Sequence, residues 1–450
     1  MRKRPVDQAR RAAFDALRAV HADGAYANLV LGKILGERRL SGRDAALATE
    51  LVAGTSRLEG TYDLVIAAAA GRGLNTLQPA VLDVLRLGVH QLLSMRVPTH
   101  AAVAATVDLA SATVGERITG LTNAVLRKVA AQDYDGWVAQ LTTGLEPRAS
   151  LAVQTAHPQW VVDAYAELLP ADELQPALAA NNVSPQVSLA VRPGLATVHE
   201  LVGEGAAPGR WSPFAATWPG DPGQLDAVRS SRAGVQDEGS QLVTWALTRA
   251  AADPGWWLDL CAGPGGKSAL LAGLAAADGS RLLANELSQH RAALVAGALV
   301  RYGDSSSPAP VVVADGTRPP WRPGTFSRVL VDAPCSGLGA LRRRPESRWR
   351  RDTAAVEQLH PLQRSLLRSA LEATAPGGLV AYVTCSPHTR ETTDVVTEVL
   401  QDRPDVVVED AGGLLPGVPE AARGPFLQLW PHRHGTDAMF AAFLRVDPTA

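Results

Sequence analysis

Up to about residue 140 the apolar positions recur at intervals of three and four. The runs ARRAAFDALRAV, AALATELVAGTSRL, TYDLVIAAAA, PAVLDVLRLGVHQLLS and HAAVAATVDLASATV each carry such a stripe, and no period-2 run interrupts them. The spacing predicts an all-helical segment. Asp23-Gly24, Gly71-Arg72-Gly73 and Val97-Pro98 punctuate it. Between about 145 and 235 the pattern is mixed. HPQWVVDAYAELL reads as helix, QVSLAVRP alternates like a strand, and PGRWSPFAATWPGDPGQL is rich in Pro and Gly. From about 236, strand-like runs (WWLDL, RLLANE, PVVVAD, SRVLVDAP, GLVAYVTC) alternate with helix-like runs (SALLAGLAAA, QHRAALVAGALVRYG, AAVEQLHPLQRSLLRSALEAT, ETTDVVTEVLQD). That alternation predicts a doubly wound α/β domain on a parallel sheet, with AMFAAFLRV as a further strand. The expected order is therefore an all-α domain over 1–140, a small α+β connector over 141–235, and an α/β domain over 236–447.

Composition narrows the class. With 46% hydrophobic and 20% charged residues the chain reads as globular rather than disordered. The net charge of −2 decides nothing about nucleic acid, so local charge must. Up to residue 135 there are 17 Lys or Arg against 13 Asp or Glu, a mild basic excess consistent with RNA. Three widely spaced cysteines, Cys261, Cys335 and Cys385, do not make a disulfide framework. The first twenty residues have charge but no apolar signal core, and no run of 18 apolar residues appears. The expectation is a cytoplasmic protein with free thiols and no membrane partner. Lysine occurs only at positions 3, 33, 128 and 267, arginine taking its place elsewhere, as in a GC-rich genome. A lysine kept at 267 inside a Gly-rich loop suggests that arginine would not serve there.

That loop, Asp259-Leu-Cys-Ala-Gly-Pro-Gly-Gly-Lys-Ser268, follows WWLDL and opens a helix. Glycines allow close backbone approach to a ligand, and a helix N-terminus offers free N–H groups. A Walker A loop would need glycine at 261, which is Cys, and a dinucleotide fingerprint would need glycine at 268, which is Ser. The remaining reading is a cradle for the methionine part of S-adenosylmethionine, made by Cys261, Ala262, Gly263, Pro264, Gly265, Gly266 and Lys267. Glu286, ending RLLANE, is placed to accept ribose hydroxyls, and Asp315, ending PVVVAD, to meet the adenine edge. Asp332-Ala-Pro-Cys335-Ser-Gly ends SRVLVDAP, and Thr384-Cys385-Ser386 ends GLVAYV. Both cysteines thus fall at carboxyl ends of parallel strands, where such sheets build their sites. Arg342-Arg343-Arg344-Pro-Glu-Ser-Arg348-Trp349-Arg350-Arg351 follows directly; six arginines beside a tryptophan suit phosphate contact and base stacking. No metal site is expected.

Gly263-Pro-Gly-Gly-Lys267, Asp332-Ala-Pro-Cys335 and Thr384-Cys385-Ser386, in this order, resemble the RNA cytosine-C5 methyltransferases of the Nop2/Sun family. The resemblance runs from Val235-Gln-Asp-Glu-Gly-Ser240 to Gly435-Thr-Asp437. The helical part resembles the NusB family, through Ala9-Arg10, Leu85-Arg-Leu-Gly88 and Thr122-Asn-Ala-Val-Leu-Arg127. This pairing is similar to bacterial enzymes that methylate small-subunit (16S) ribosomal RNA. The resemblance implies S-adenosylmethionine as methyl donor, with Asp332 also near it, and RNA rather than DNA as partner. It also implies that Cys385 attacks carbon 6 of cytosine and that Cys335 helps eliminate the adduct. Spacing alone leaves those two roles open. Asp332 is the candidate acid toward N3 of the base, with Lys267 supporting Asp332 or the base. The chain departs from the family pattern at Glu286, where Asp is common, at Thr392, where Asn is common after Glu391, and at Ala190-Val-Arg-Pro193, where Arg-Val-Asn is common. Transfer RNA, large-subunit RNA, or a non-catalytic RNA-binding role in assembly remain alternatives.

Overall fold

The computed structural model describes residues 6–303 and 309–449; the basic Arg2-Lys3-Arg4 start, read as a frayed tail, falls outside them. The chain divides into two compact units. One holds residues up to Asn182 together with Arg343–Arg350; the other holds Val183–Arg342 and everything from Arg351 onward.

The first unit is helical. It contains α1 (Gln8–Asp23), α2 (Ala27–Glu37), α3 (Gly42–Ala70), α4 (Pro79–Leu93), α5 (Thr99–Thr113) and α6 (Thr119–Val129). Four shorter helices follow: α7 (Tyr134–Thr142), α8 (Pro147–Thr155), α9 (Gln159–Ala166) and α10 (Ala171–Ala180). The start and stop of α1 follow from side-chain chemistry. Asp7 accepts the amide of Arg10, and Gly24 ends the helix at φ 66°. The stripes meet in two cores, one around Ala12, Leu17, Leu51 and Val84, the other around Tyr62, Val65, Leu85 and Leu126. Two stripes read separately from the sequence, AALATELVAGTSRL and TYDLVIAAAA, form the single helix α3. Gly60 between them stays helical, and a Cβ there would lie 2.3 Å from the Trp349 ring.

The second unit begins with a small antiparallel sheet. Its strands are β1 (Val187–Val191), β2 (Ala207–Pro208), β3 (Ala215–Trp218) and β4 (Ala233–Val235), in the order β2-β3-β1-β4. The main sheet then uses β5 (Trp256–Asp259), β6 (Arg281–Glu286), β7 (Val311–Val313), β8 (Phe326–Asp332) and β9 (Thr374–Thr384), followed by β10 (Val406–Glu409), β11 (Ala422–Arg423), β12 (Phe426–Gln428) and β13 (Phe440–Val446). Its order is β11-β12-β13-β9-β8-β5-β6-β7, with β10 also on β13. β7, β6, β5, β8 and β9 run parallel, while β13 returns antiparallel beside β9 and carries β10 and β12. The parallel prediction thus holds for the first five strands and gives way to hairpin-like pairing at one side. Period-2 alternation buries both faces: Leu379, Ala381 and Val383 join one core, Val380 and Tyr382 the other. PVVVAD is shorter than predicted, because pairing stops at Val313 and leaves Ala314 and Asp315 beyond the ladder. Strand order reverses between β5 and β8, so the loops after them diverge and leave a crevice at their carboxyl ends. Among the described residues no helix is long and apolar enough to cross a membrane.

Candidate active site

The loop after β5 is shaped by contacts that only glycine permits. Gly265 has φ +109°, and a Cβ on it would lie 2.7 Å from that of Ala298. A Cβ on Gly263 would lie 2.3 Å from Glu286 Oε2. Glu286, at the end of β6, is buried. Its Oε2 accepts from the Gly263 amide at 3.0 Å, and its Oε1 accepts from the Ser288 amide at 3.0 Å. Arg291 closes this corner by donating to the Gly263 carbonyl, 3.5 Å from Glu286. The helix Gly266–Ala277 starts at Gly265 with no side chain capping its first amides. Those N–H groups and the close-packed glycines fit an anionic, backbone-cradled ligand end. Asp315 stands apart: it is exposed, and its Oδ1 accepts from the amide and hydroxyl of Thr317.

Lys267, Asp332, Cys335 and Cys385 come together. Asp332 ends β8, Cys335 lies three residues on, and Cys385 follows the last residue of neighbouring β9. Lys267, from the first turn of its helix, donates to Asp332 Oδ2 at 2.9 Å. The two thiols are 3.5 Å apart, Sγ to Sγ. Their surroundings differ. The Cys385 thiol is pushed below its ordinary value, first because Cys335 hydrogen-bonds to it and further by the Lys267 charge, against burial and the charges of Asp332 and Asp437. The Cys335 thiol is pushed well up by its bond to Cys385, by burial, and by the charges of Cys385, Glu391 and Asp332. Burial works against the Lys267 ammonium, yet its pKa is raised by the charge and hydrogen bond of Asp332, helped by Cys385 and Asp259.

Cys261 sits in the loop, half-buried against the core. Burial first, then the charges of Asp259, Asp332 and Glu286, pushes its thiol well above the ordinary value. Such a thiol keeps its proton and is a poor nucleophile. Asp259 is fully buried, accepts Ser268 Oγ at 2.6 Å, and is pushed up to about 7 by burial.

Several residues around the thiols escaped the sequence reading. Glu391 is buried and accepts from the Ser336 amide at 2.7 Å and from its hydroxyl at 2.5 Å, which fixes the loop carrying Cys335. Ser336 Oγ is also hydrogen-bonded to Ser386 Oγ at 3.2 Å, tying the two cysteine loops together. Arg342 reaches Asp237 at 3.6 Å and Asp437 at 3.7 Å, all buried. Asp237 and Asp437 stand in Val235–Ser240 and Gly435–Asp437, but nothing in the sequence paired them across 200 positions.

The phosphate-contact reading of the arginine run is corrected for half of it. Arg348 is fully buried and donates to Ala156 O at 2.9 Å, Asn182 Oδ1 at 2.7 Å, Asn181 O at 3.3 Å and Arg57 O at 3.4 Å. Trp349 Nε1 donates to Ser56 O at 2.7 Å, and Arg350 donates to the carbonyls of Gly24, Val20 and Ala25. These side chains donate to backbone carbonyls inside the first unit, some at helix ends and two, Ser56 and Arg57, within α3, which a linear reading of charge cannot anticipate. Arg343, Arg344 and Arg351 are exposed.

Comparison with known proteins agrees with this architecture. The NusB family model matches residues 7–131, and the model described as 16S rRNA methyltransferase RsmB/F matches residues 246–445. A Mycobacterium tuberculosis (strain H37Rv) relative, "Putative methyltransferase Rv1407", is 50% identical, with 99% of this chain and 98% of its own covered. The ribosomal RNA small subunit methyltransferase B of Erwinia tasmaniensis is 31% identical over 91% of this chain and 92% of its own. Among solved structures, that of PH0851 shares the fold with a TM-score of 0.79 at 22% identity, covering 98% of this chain and 99% of that one.

Proposed function

The chain belongs to the RsmB/F family of S-adenosylmethionine-dependent ribosomal RNA methyltransferases with an N-terminal NusB domain, and on that premise we propose that it methylates carbon 5 of a cytosine in 16S ribosomal RNA through a covalent cysteine adduct, in the cytoplasm. The observation that carries this reading is the pair of unequal thiols 3.5 Å apart beside the Lys267–Asp332 ion pair.

Carbon 5 of cytosine is a weak nucleophile, and a thiolate added at carbon 6 makes it a stronger one. Cys385 is the thiol poised to ionise, so it forms the bond to carbon 6. Asp332 faces the base at N3 and holds or shares the proton that eases this addition; Lys267 keeps Asp332 and the thiolate in place. S-adenosylmethionine, when bound, supplies an electrophilic methyl group on sulfonium. Ala262, Gly263, Pro264, Gly265 and Gly266 would hold its methionine end, with Glu286 toward the ribose and Asp315 toward the adenine. Cys335, which retains its proton more firmly, stands where, after releasing that proton to solvent, it can take the one from carbon 5, so that the bond from carbon 6 to Cys385 breaks, Cys385 leaves as a thiolate and the double bond re-forms. The base must leave its stack to reach this crevice.

The test uses the two cysteine variants with S-adenosylmethionine and 16S RNA. Cys385→Ala is expected to abolish methyl transfer and adduct alike. Cys335→Ala is expected to trap an RNA–protein adduct that survives denaturing electrophoresis. An adduct with Cys385→Ala but not with Cys335→Ala would reverse the roles. Bisulfite sequencing of 16S RNA from a deletion strain tests the substrate: an undiminished set of 5-methylcytosines refutes it.

A further inference from the structure

The helical unit contains a half-open cavity of about 520 Å³ that the methyl-transfer chemistry does not use. Its volume falls within the roughly 300–1,000 Å³ of small-molecule sites. His21, Glu59, Arg86, Glu346, Trp349 and Arg350 line it.

Most of this charge is already spent. His21 is held between Asp83 at 2.7 Å and Glu59 at 3.1 Å; burial opposes its charge, yet those bonds bring its pKa to about 9. Arg86 is shared among Glu59 at 3.0 Å, Asp63 at 2.6 Å and Asp83 at 3.3 Å. Arg350 is committed to the three carbonyls at the end of α1. These groups have little left to offer a phosphate. Glu346 is different. It is 2% exposed; its Oε1 accepts the Ala27 amide at 3.2 Å, and its buried Oε2 has no hydrogen-bond partner among the described residues. A buried carboxylate oxygen left in that state costs free energy, and an N–H donor arriving in the cavity would recover it. Trp349 supplies the second element. Its indole N–H is fixed on Ser56, and the ring lines this cavity and also a smaller one of about 180 Å³. A fixed aromatic face is a stacking platform for a base.

The ligand must therefore be flat and carry N–H donors. Building on the RNA-methyltransferase reading above, we propose that this cavity is a second RNA contact, one that accepts an unstacked guanine with its N1–H and N2–H edge on Glu346 and its face on Trp349. Guanine is the base that presents two adjacent donors to one carboxylate. An ammonium or guanidinium would also meet Glu346, and is the competing occupant that the test below separates. The enzyme would then hold its RNA at a guanine distant in the chain from the reacting cytosine.

Binding of GMP, AMP, CMP and UMP to the full chain, saturated with S-adenosylhomocysteine, tests this by calorimetry and hydrogen exchange. GMP is expected to bind about tenfold or more tightly than the other three and to slow exchange over 20–27 and 343–350. Glu346→Gln is expected to lower GMP affinity about tenfold while leaving S-adenosylmethionine binding unchanged. Should that variant unfold, Trp349→Phe, which keeps a smaller ring, should still weaken GMP several-fold. Equal affinity for the four nucleotides, protection confined to 332–336 and 384–386, or preferential occupancy by arginine amide or spermidine would overturn the proposal. If methyl transfer to 16S RNA persists while no GMP binds here, the cavity assignment fails and the enzymatic reading stands. Loss of methyl transfer by the unaltered chain is the separate failure of that reading.

Discussion

Replacing Lys267 by Met removes one positive charge from a site that holds two thiols and a carboxylate. Lys267 Nζ lies 2.9 Å from Asp332 Oδ2, with side chains 13% and 28% exposed. At an effective dielectric of about 20, opposite unit charges about 4 Å apart attract by about 4 kcal/mol. Part of what Lys267 gives the Cys385 thiolate is offset by Asp332, which opposes that charge. A net loss of about 1.4 kcal/mol, one pKa unit, is a conservative expectation for the variant. The sign is definite. In the unaltered chain the Cys385 thiol lies below its ordinary value, so alkylation should begin at lower pH than for a free cysteine; in Lys267→Met the profile should move up by about one unit or more. The assay is iodoacetamide labelling across pH 6–10 (about neutral to basic), read at Cys385 by peptide mass spectrometry. Methyl transfer near neutral pH should fall about tenfold or more, in line with the smaller thiolate fraction. Lys267→Arg should restore the charge but not the rate, since a planar fork does not replace a compact ammonium in a tight loop. An unshifted labelling profile in Lys267→Met would refute the claim that Lys267 holds the thiolate.

Two further substitutions probe the scaffold. Gly265→Ala places a Cβ 2.7 Å from that of Ala298 at φ +109°, which should cost about 2–4 kcal/mol and reduce S-adenosylmethionine affinity at least about tenfold by calorimetry; Gly297→Ala, where nothing lies within 4 Å, is the control and should change neither. Arg348→Met leaves the Ala156 and Asn182 acceptors without a donor, at about 1–3 kcal/mol each, partly offset by removing a guanidinium that burial has pushed to about 9. A net destabilisation of about 2–4 kcal/mol should lower the urea midpoint. Unchanged stability together with a reduced salt dependence of RNA binding would restore the phosphate-contact reading.

Local pattern alone determined much of this protein. Helical stripes, the strand–helix alternation and the glycine loop before Lys267 are encoded within windows of a dozen residues, because periodicity reports which face is buried. The same local signals placed Asp332, Cys335 and Cys385 at strand ends. Tertiary structure decided what no window contains. Strand order set β8 beside β9, and so put two thiols fifty positions apart at 3.5 Å. It made their ionisation unequal, first through the hydrogen bond the two thiols share, then through burial and through the charges of Lys267 on Cys385 and Glu391 on Cys335. It also took Arg348, Trp349 and Arg350 from an apparent basic surface and set them on backbone carbonyls of the helical unit. Charge and spacing can be read along a chain, but the partner that satisfies a buried polar group is chosen only when distant segments pack.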